Sequence, residues 1–184
     1  MSDNGKPKVA TTAMCSCFGC HMSLLDIDDR ILQLVELIEF HKSPINDIKE
    51  FTEHCAIGLI EGSVANDDNL HVLRDFRRNC DILVALGGCA CTGDIPAMRN
   101  GIPLRECLEE AYIHGPTCYN PDGIIPNDPE IPLMLDRVYP VDEVVKIDYF
   151  LPGCPPPADT IWAALVALLE GKPLDLPYEL IKYD

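Results

Sequence analysis

Cys17 and Cys20 form a CxxC pair within the stretch MCSCFGCHMSLLDIDD, and Cys89 and Cys154 each stand in a distant glycine-containing turn, GGC and PGC. Alone, a CxxC suits a redox dithiol or half of a metal site, and a lone cysteine at a strand end is ordinarily a small buried hydrophobe. Together the four thiols permit a four-thiolate site. Structural zinc usually takes two local pairs at short separation, whereas here one pair is joined by two distant cysteines. Glycines let backbone approach a bulky ligand, and four thiolates are what a 4Fe-4S cube requires. Cys15 and Cys91 each lie two residues from a candidate ligand and read either as substitutes for it or as packing residues. Cys55, Cys80, Cys107 and Cys118 read as structural.

The elements that must position these thiols follow from patterning. Lys8 to Met14 reads as a first strand ending at the cysteines. Ser23 with Asp26 resembles a capping box, and Leu24, Leu25, Ile31, Leu32, Val35 and Ile38 recur at helical spacing, which predicts one helix to about His41. His54 to Ile60 reads as a buried second strand ending at Glu61, and Asn69 to Arg78 as a helix. Asp81 to Leu86 is a third strand, Gly115 to Pro140 a loop rich in Pro, Gly and Asn, and Lys146 to Leu151 a fourth strand. A last helix follows the turn at Pro155 to Pro157 and runs to Leu169, stopped by Gly171 and Pro173. Trp162 on this helix reads as core. Strands apolar along their length, alternating with helices, predict an α/β fold with a parallel sheet covered on both faces. Cys17, Cys20, Cys89 and Cys154 then all follow carboxyl ends of strands, which converge on one edge of an open parallel sheet.

The chain is 184 residues, 47% hydrophobic, which suits a single domain spanning 1–184. A formal charge of −16, from 14 basic against 30 acidic residues, argues against nucleic acid and anionic membrane surfaces. No run approaches the roughly 20 apolar residues of a membrane span, and the first residues carry neither a secretory pattern nor a twin-arginine pair. A cytoplasmic location is therefore expected. Thiols stay reduced there, so ten cysteines read as metal, redox or packing groups rather than a disulfide framework. Asp26, Asp28 and Asp29 read as helix-start charges on a solvated face.

Four blocks carry a family resemblance: CFGC after the first strand, EGS after the second, GGCACTGD after the third and LPGCPPP after the fourth. In this order they resemble the small subunit of NiFe hydrogenases, over residue 15 to about residue 170. GCHMSLLDID is most similar to the soluble cytoplasmic NAD-reducing type, and the shortness of the chain after its last helix agrees with a form lacking a second cluster domain. The resemblance implies a flavodoxin-like three-layer fold with Cys17, Cys20, Cys89 and Cys154 binding one proximal 4Fe-4S cluster at the carboxyl edge. It implies no catalytic residue in this chain. Hydrogen is split at a NiFe centre on a large-subunit partner, and a diaphorase module with flavin, iron–sulfur clusters and NAD completes the complex. Phe18, Ser16 and His21 depart from the usual residues of the first block, which weakens a proton route there. His21 reads either as an exposed or helix-entry residue or as a hydrogen-bonding group that tunes the cluster. Glu61 reads as a solvated strand-end carboxylate, a partner contact or a proton carrier. Rival readings are a membrane-bound hydrogenase or complex I subunit, a flavodoxin-like FMN module, and a zinc-stabilised interaction subunit. Complex I relatives usually carry adjacent cysteines in the first block, unlike CFGC. FMN in addition to the cluster follows only by fold analogy, with no phosphate loop to name.

Overall fold

The computed structural model describes residues 5–181. Strand β1 (Lys8–Ala13) leads through the cysteine loop into two short helices, α1 (Gly19–Leu25) and α2 (Arg30–Leu37), and a two-residue strand β2 (Glu39–Phe40). Strand β3 (Cys55–Glu61) is followed by β4 (Val64–Asn66), helix α3 (Asp67–Asn79) and β5 (Cys80–Leu86). Short helices α4 (Gly88–Thr92), α5 (Asp94–Ala97) and α6 (Leu104–Glu109) precede β6 (Met134–Tyr139), β7 (Tyr149–Leu151) and the last helix, α7 (Ala158–Leu169).

Five strands form one parallel sheet in the order β2-β1-β3-β5-β7, while β4 and β6 make a separate antiparallel pair. In the main sheet this is the doubly wound flavodoxin order, whose direction reverses between β1 and β3. Because successive side chains point to opposite faces, Val9, Ile57, Leu59, Val84 and Leu86 bury against Leu24, Leu34, Ile161 and Leu165 on one side. Ala10, Ile60, Leu83 and Ala85 bury against Leu73, Phe76 and Ala90 on the other. The fold is therefore three-layered, as expected. Among the described residues no helix is long and apolar enough to cross a membrane.

Several expectations need correction. The single helix from Ser23 to His41 is two helices, broken at Asp26–Asp29, where Asp28 takes a positive φ of 58°. Helix α1 begins before Ser23, whose hydroxyl caps nothing and instead donates to the Pro156 carbonyl at 2.6 Å. Asp26, Asp28 and Asp29 are exposed on the interhelical turn. Strand β6 emerges from the region read as loop, and the fourth expected strand keeps only Tyr149–Leu151. Trp162 is half-buried beneath the Arg30 guanidinium, 5.5 Å from its ring centroid.

That shortened strand has a cause. Asp148 accepts hydrogen bonds from Leu83 N at 2.9 Å and Arg77 Nη1 at 2.7 Å, so a side chain ties this segment to β5. Burial raises the Asp148 carboxyl, but the hydrogen bonds from Arg77 and Leu83 and the nearby cations outweigh it and hold it below the ordinary range. A lowered folded pKa means stability that is present above the unfolded value of about 3.9 and is lost as pH falls through the folded one. Asp148→Asn is expected to lose about 1.5–3 kcal/mol at pH 7, the worth of hydrogen bonds to a charged group, and to show a shallower further loss below about pH 4. Urea unfolding at stepped pH checks both; equal acid slopes would count against the pairing.

Candidate metal centre

The loop after β1 is pinned to the strand beside it. Met14 N donates to Glu61 O at 2.9 Å, and Cys15 and Ser63 exchange two backbone hydrogen bonds of 3.1 and 3.0 Å. Phe18 then takes a left-handed conformation, φ 68°, and α1 starts at once, placing Cys17 before the helix and Cys20 in its first turn. Cys89 lies in the first turn of α4, behind Gly87 and Gly88. Their amides donate to Leu151 O and Gly153 O, both at 2.8 Å, which fastens the turn after β5 to the one carrying Cys154.

These turns bring all four predicted ligands to one place. Cys17, Cys20, Cys89 and Cys154 line a narrow cavity of about 50 Å³ with Gly19, Glu61, Gly88 and Gly153. Outward of it, Cys17, Cys89 and Cys154 share a wider opening of about 300 Å³ with Cys15, Ser16, Ile95 and Pro96. Cys20 is buried, Cys89 is partly so, and Cys17 and Cys154 are exposed, so the site is deep on one side and open on the other. A Cβ on Gly87 would stand 2.3 Å from Cys20 Sγ, and one on Gly19 would stand 3.1 Å from Cys17 Sγ. Glycine at both positions leaves the space that the sulfurs occupy. Among the described residues, no three His, Cys, Asp or Glu side chains converge as they would on a single ion. A larger cavity of about 560 Å³, between the start of α3 and residues 127–133, is lined by acidic side chains and no thiol.

Three of the thiols, Cys20, Cys89 and Cys154, resist ionisation. Burial and the nearby Glu61 push Cys20 far up, and burial with Asp94 and Cys154 pushes Cys89 up to about 11. Cys154 is raised by burial, by Asp94 and by Cys17. Soft donors, three of which give up their protons more readily to a positive partner than to water, suit a metal-bearing group better than free thiol chemistry.

Glu61 and His21 depart most from expectation. Both side chains are only 1% exposed, which overturns the solvated reading of Glu61 and the exposed reading of His21, although His21 does stand in the first turn of α1. The Glu61 carboxylate lies 2.5 Å from His21 Nδ1 and accepts from His21 N at 3.0 Å and Cys20 N at 3.4 Å. His21 Nε2 is hydrogen-bonded to Thr11 Oγ1 at 2.9 Å, which bonds Ser43 Oγ at 2.7 Å, and Phe18 stacks on the imidazole at 4.6 Å. Burial raises the Glu61 carboxyl, but hydrogen bonds and charge from His21, with a bond from Ser16, hold it below its ordinary range. A carboxylate thus anchors the backbone of a candidate ligand.

The other cysteines separate cleanly. Cys91 turns into the core, its Sγ 3.6 Å from Ala85 O and its thiol pushed up to about 12 by burial, so it does not substitute for Cys89. Cys55 and Cys80 are buried register partners at the opposite ends of their strands, and Cys118 Sγ donates to Ala111 O at 3.1 Å. Cys15 lines only the outer opening. Two contributors were missed from sequence: Thr11, which has no motif around it, and Asp94, whose only signal was its place in GGCACTGD.

A doubly wound sheet here gathers four thiols at its carboxyl edge, where such sheets bind their ligands, a donor set that suits the class of iron–sulfur proteins. The family model described as NADH ubiquinone oxidoreductase, 20 Kd subunit, matches residues 17–168, and the chain belongs to this family. It is 47% identical, over 98% of its length and 87% of the relative's, to the delta subunit of the NAD-reducing hydrogenase HoxS of Cupriavidus necator. It is 35% identical to a subunit of the F420-non-reducing hydrogenase of Methanothermobacter thermautotrophicus, over 94% of this chain and 56% of that one. Among solved structures, a chain of an NAD+-reducing [NiFe]-hydrogenase in the H2-reduced state superposes with a TM-score of 0.94 at 45% identity, covering 98% of this chain and 100% of the other. A [NiFeSe]-hydrogenase of Desulfomicrobium baculatum, at 19% identity and a TM-score of 0.58, shares the fold. The resemblance to the NiFe hydrogenase small subunit, drawn from the four blocks, is borne out.

Proposed function

We propose that the chain is the electron-transfer subunit of a hydrogenase that couples hydrogen oxidation to NAD(P) reduction, with one 4Fe-4S cluster held by Cys17, Cys20, Cys89 and Cys154. The observation that carries this reading is the gathering of four thiols from three strand ends into one cavity, with Gly19 and Gly87 where a Cβ would crowd the sulfurs of Cys17 and Cys20. When bound, such a cluster supplies one-electron transfer. The chain's own groups do the rest. Cys20 and Cys89 hold the deep side, Cys17 and Cys154 the open side, and Glu61 fixes the Cys20 amide so that the deep ligand cannot drift.

The open side calls for a cover. Beside Cys17 and Cys154, Ile95 is 65% exposed and lines the opening with Pro96, an apolar rim that fits the large subunit bearing the nickel–iron centre. Diaphorase subunits carrying flavin, clusters and the NAD site would take the electrons onward, in the cytoplasm, with this chain as a single domain. A flavin in this chain has less support, because the loop after β1, where a flavodoxin-like sheet seats its ligand, is filled by the cysteine segment.

The test is iron, sulfide and zinc analysis of the anaerobically purified complex, with EPR after reduction, repeated for Cys154→Ala. About four irons and four sulfides attributable to this subunit, lost or altered in the variant, are expected for a four-thiolate cube. Zinc without sulfide, or a yellow protein whose signals ignore Cys154, would overturn the reading.

A further inference from the structure

Two carboxylates stand beside the four thiols, in opposite circumstances. Glu61 is engaged by His21 and by two backbone amides. Asp94 has no cationic partner among the described residues. Gly93 at φ 86° and Asp94 at φ 39° turn the chain back after α4. The Asp94 Oδ2 lies 2.5 Å from where a Cβ of Gly88 would stand, so the carboxylate packs against the backbone immediately before Cys89, a place that any other residue at 88 would block. Its charge also reaches Cys154, whose thiol it raises. A non-glycine residue at positive φ persists only where its surroundings over-determine it. Here those surroundings aim an unpaired negative charge at two of the four ligands.

We propose that Asp94 sets a low reduction potential for the cluster held by Cys17, Cys20, Cys89 and Cys154; the inference rests on the cluster reading above. Reduction adds one electron to an assembly of thiolates that is already anionic, and no bond forms or breaks. A fixed carboxylate against Cys89 and Cys154 opposes that added charge in a partly desolvated site, where screening is weak. Glu61 opposes it less, because His21 and the amides already engage its charge. A low potential is what a donor to a nicotinamide cofactor requires, so Asp94 serves the proposed direction of electron flow.

Asp94→Asn isolates the charge. Asparagine has the same shape and tolerates the left-handed region, and it carries no charge. That change favours the reduced state. In an EPR-monitored redox titration of the purified complex, following the signal that Cys89→Ala abolishes, the variant is expected to shift the one-electron equilibrium toward reduction at least tenfold, about 59 mV in midpoint. Asp94→Gly, which removes the charge and relaxes the backbone, is expected to shift it the same way. A midpoint within twofold of the parent's equilibrium, or a shift toward oxidation, overturns the proposal. So does loss of the signal in both variants, which would make Asp94 a structural support. A parent complex with no such signal sinks the cluster reading itself, an outcome distinct from these.

Discussion

Alanine at position 87 is expected to empty the thiol site while leaving every thiol in place. Gly87 sits at φ +86°, and an alanine there would carry its Cβ to 2.3 Å from Cys20 Sγ. With ψ at 164° the backbone lies in a region open essentially to glycine alone, which costs an L-residue about 1–3 kcal/mol, and forced overlap in a packed region costs about 1–3 kcal/mol more. Relief comes only by moving Cys20 or by breaking the bond from Gly87 N to Leu151 O. Either movement spoils the site, because the first displaces the deepest ligand and the second separates the turns of Cys89 and Cys154. Iron and sulfide per chain should fall to less than half, with a lower melting temperature. Gly101→Ala, whose Cβ would meet nothing within 4 Å, is the control and should change neither. Full iron content in Gly87→Ala would show that the turn gives way more easily than its contacts imply.

Glu61→Ala is expected to be the most destabilising substitution near the site. It leaves His21 Nδ1 and the amides of Cys20 and His21 facing a space with no acceptor, in surroundings that are 1% exposed. Removing one partner of a buried pair costs about 3–5 kcal/mol, because the other is left uncompensated. Glu61→Gln should recover part of the loss, since its carbonyl still accepts from the amides while its NH2 meets the imidazole. Urea unfolding of the three proteins ranks them. A loss in the alanine variant of under about 1 kcal/mol, within the ordinary range of single substitutions, would mean that water enters and replaces the carboxylate.

What could be read in advance follows from which forces act locally. Strands β3 and β5 were legible because both faces are buried, so their sequences are continuous apolar runs. The thiol convergence was legible because parallel strands of a doubly wound sheet deliver their ends to one edge. The break between α1 and α2 was hidden, since Leu24, Ile31, Val35 and Ile38 keep helical spacing across a turn whose only mark is a run of aspartates. Strands β2 and β4 are two and three residues long, too short for a period to declare itself. The Glu61–His21 pair was hidden for another reason. The two residues are 40 positions apart, and a strand-end carboxylate is ordinarily solvated, so burial emerges only when α1 is laid over the end of β3.

The last candidate ligand stands just past β7, which joins the sheet at its edge through three paired residues. Cys17 and Cys20, by contrast, follow β1, which lies inside the sheet. The fourth thiol is therefore in place only once β7 has docked on β5. A cluster held by these four thiols would have to be assembled on a sheet whose edge strand is already paired, and a chain arrested short of that strand would offer it three ligands and no closed site.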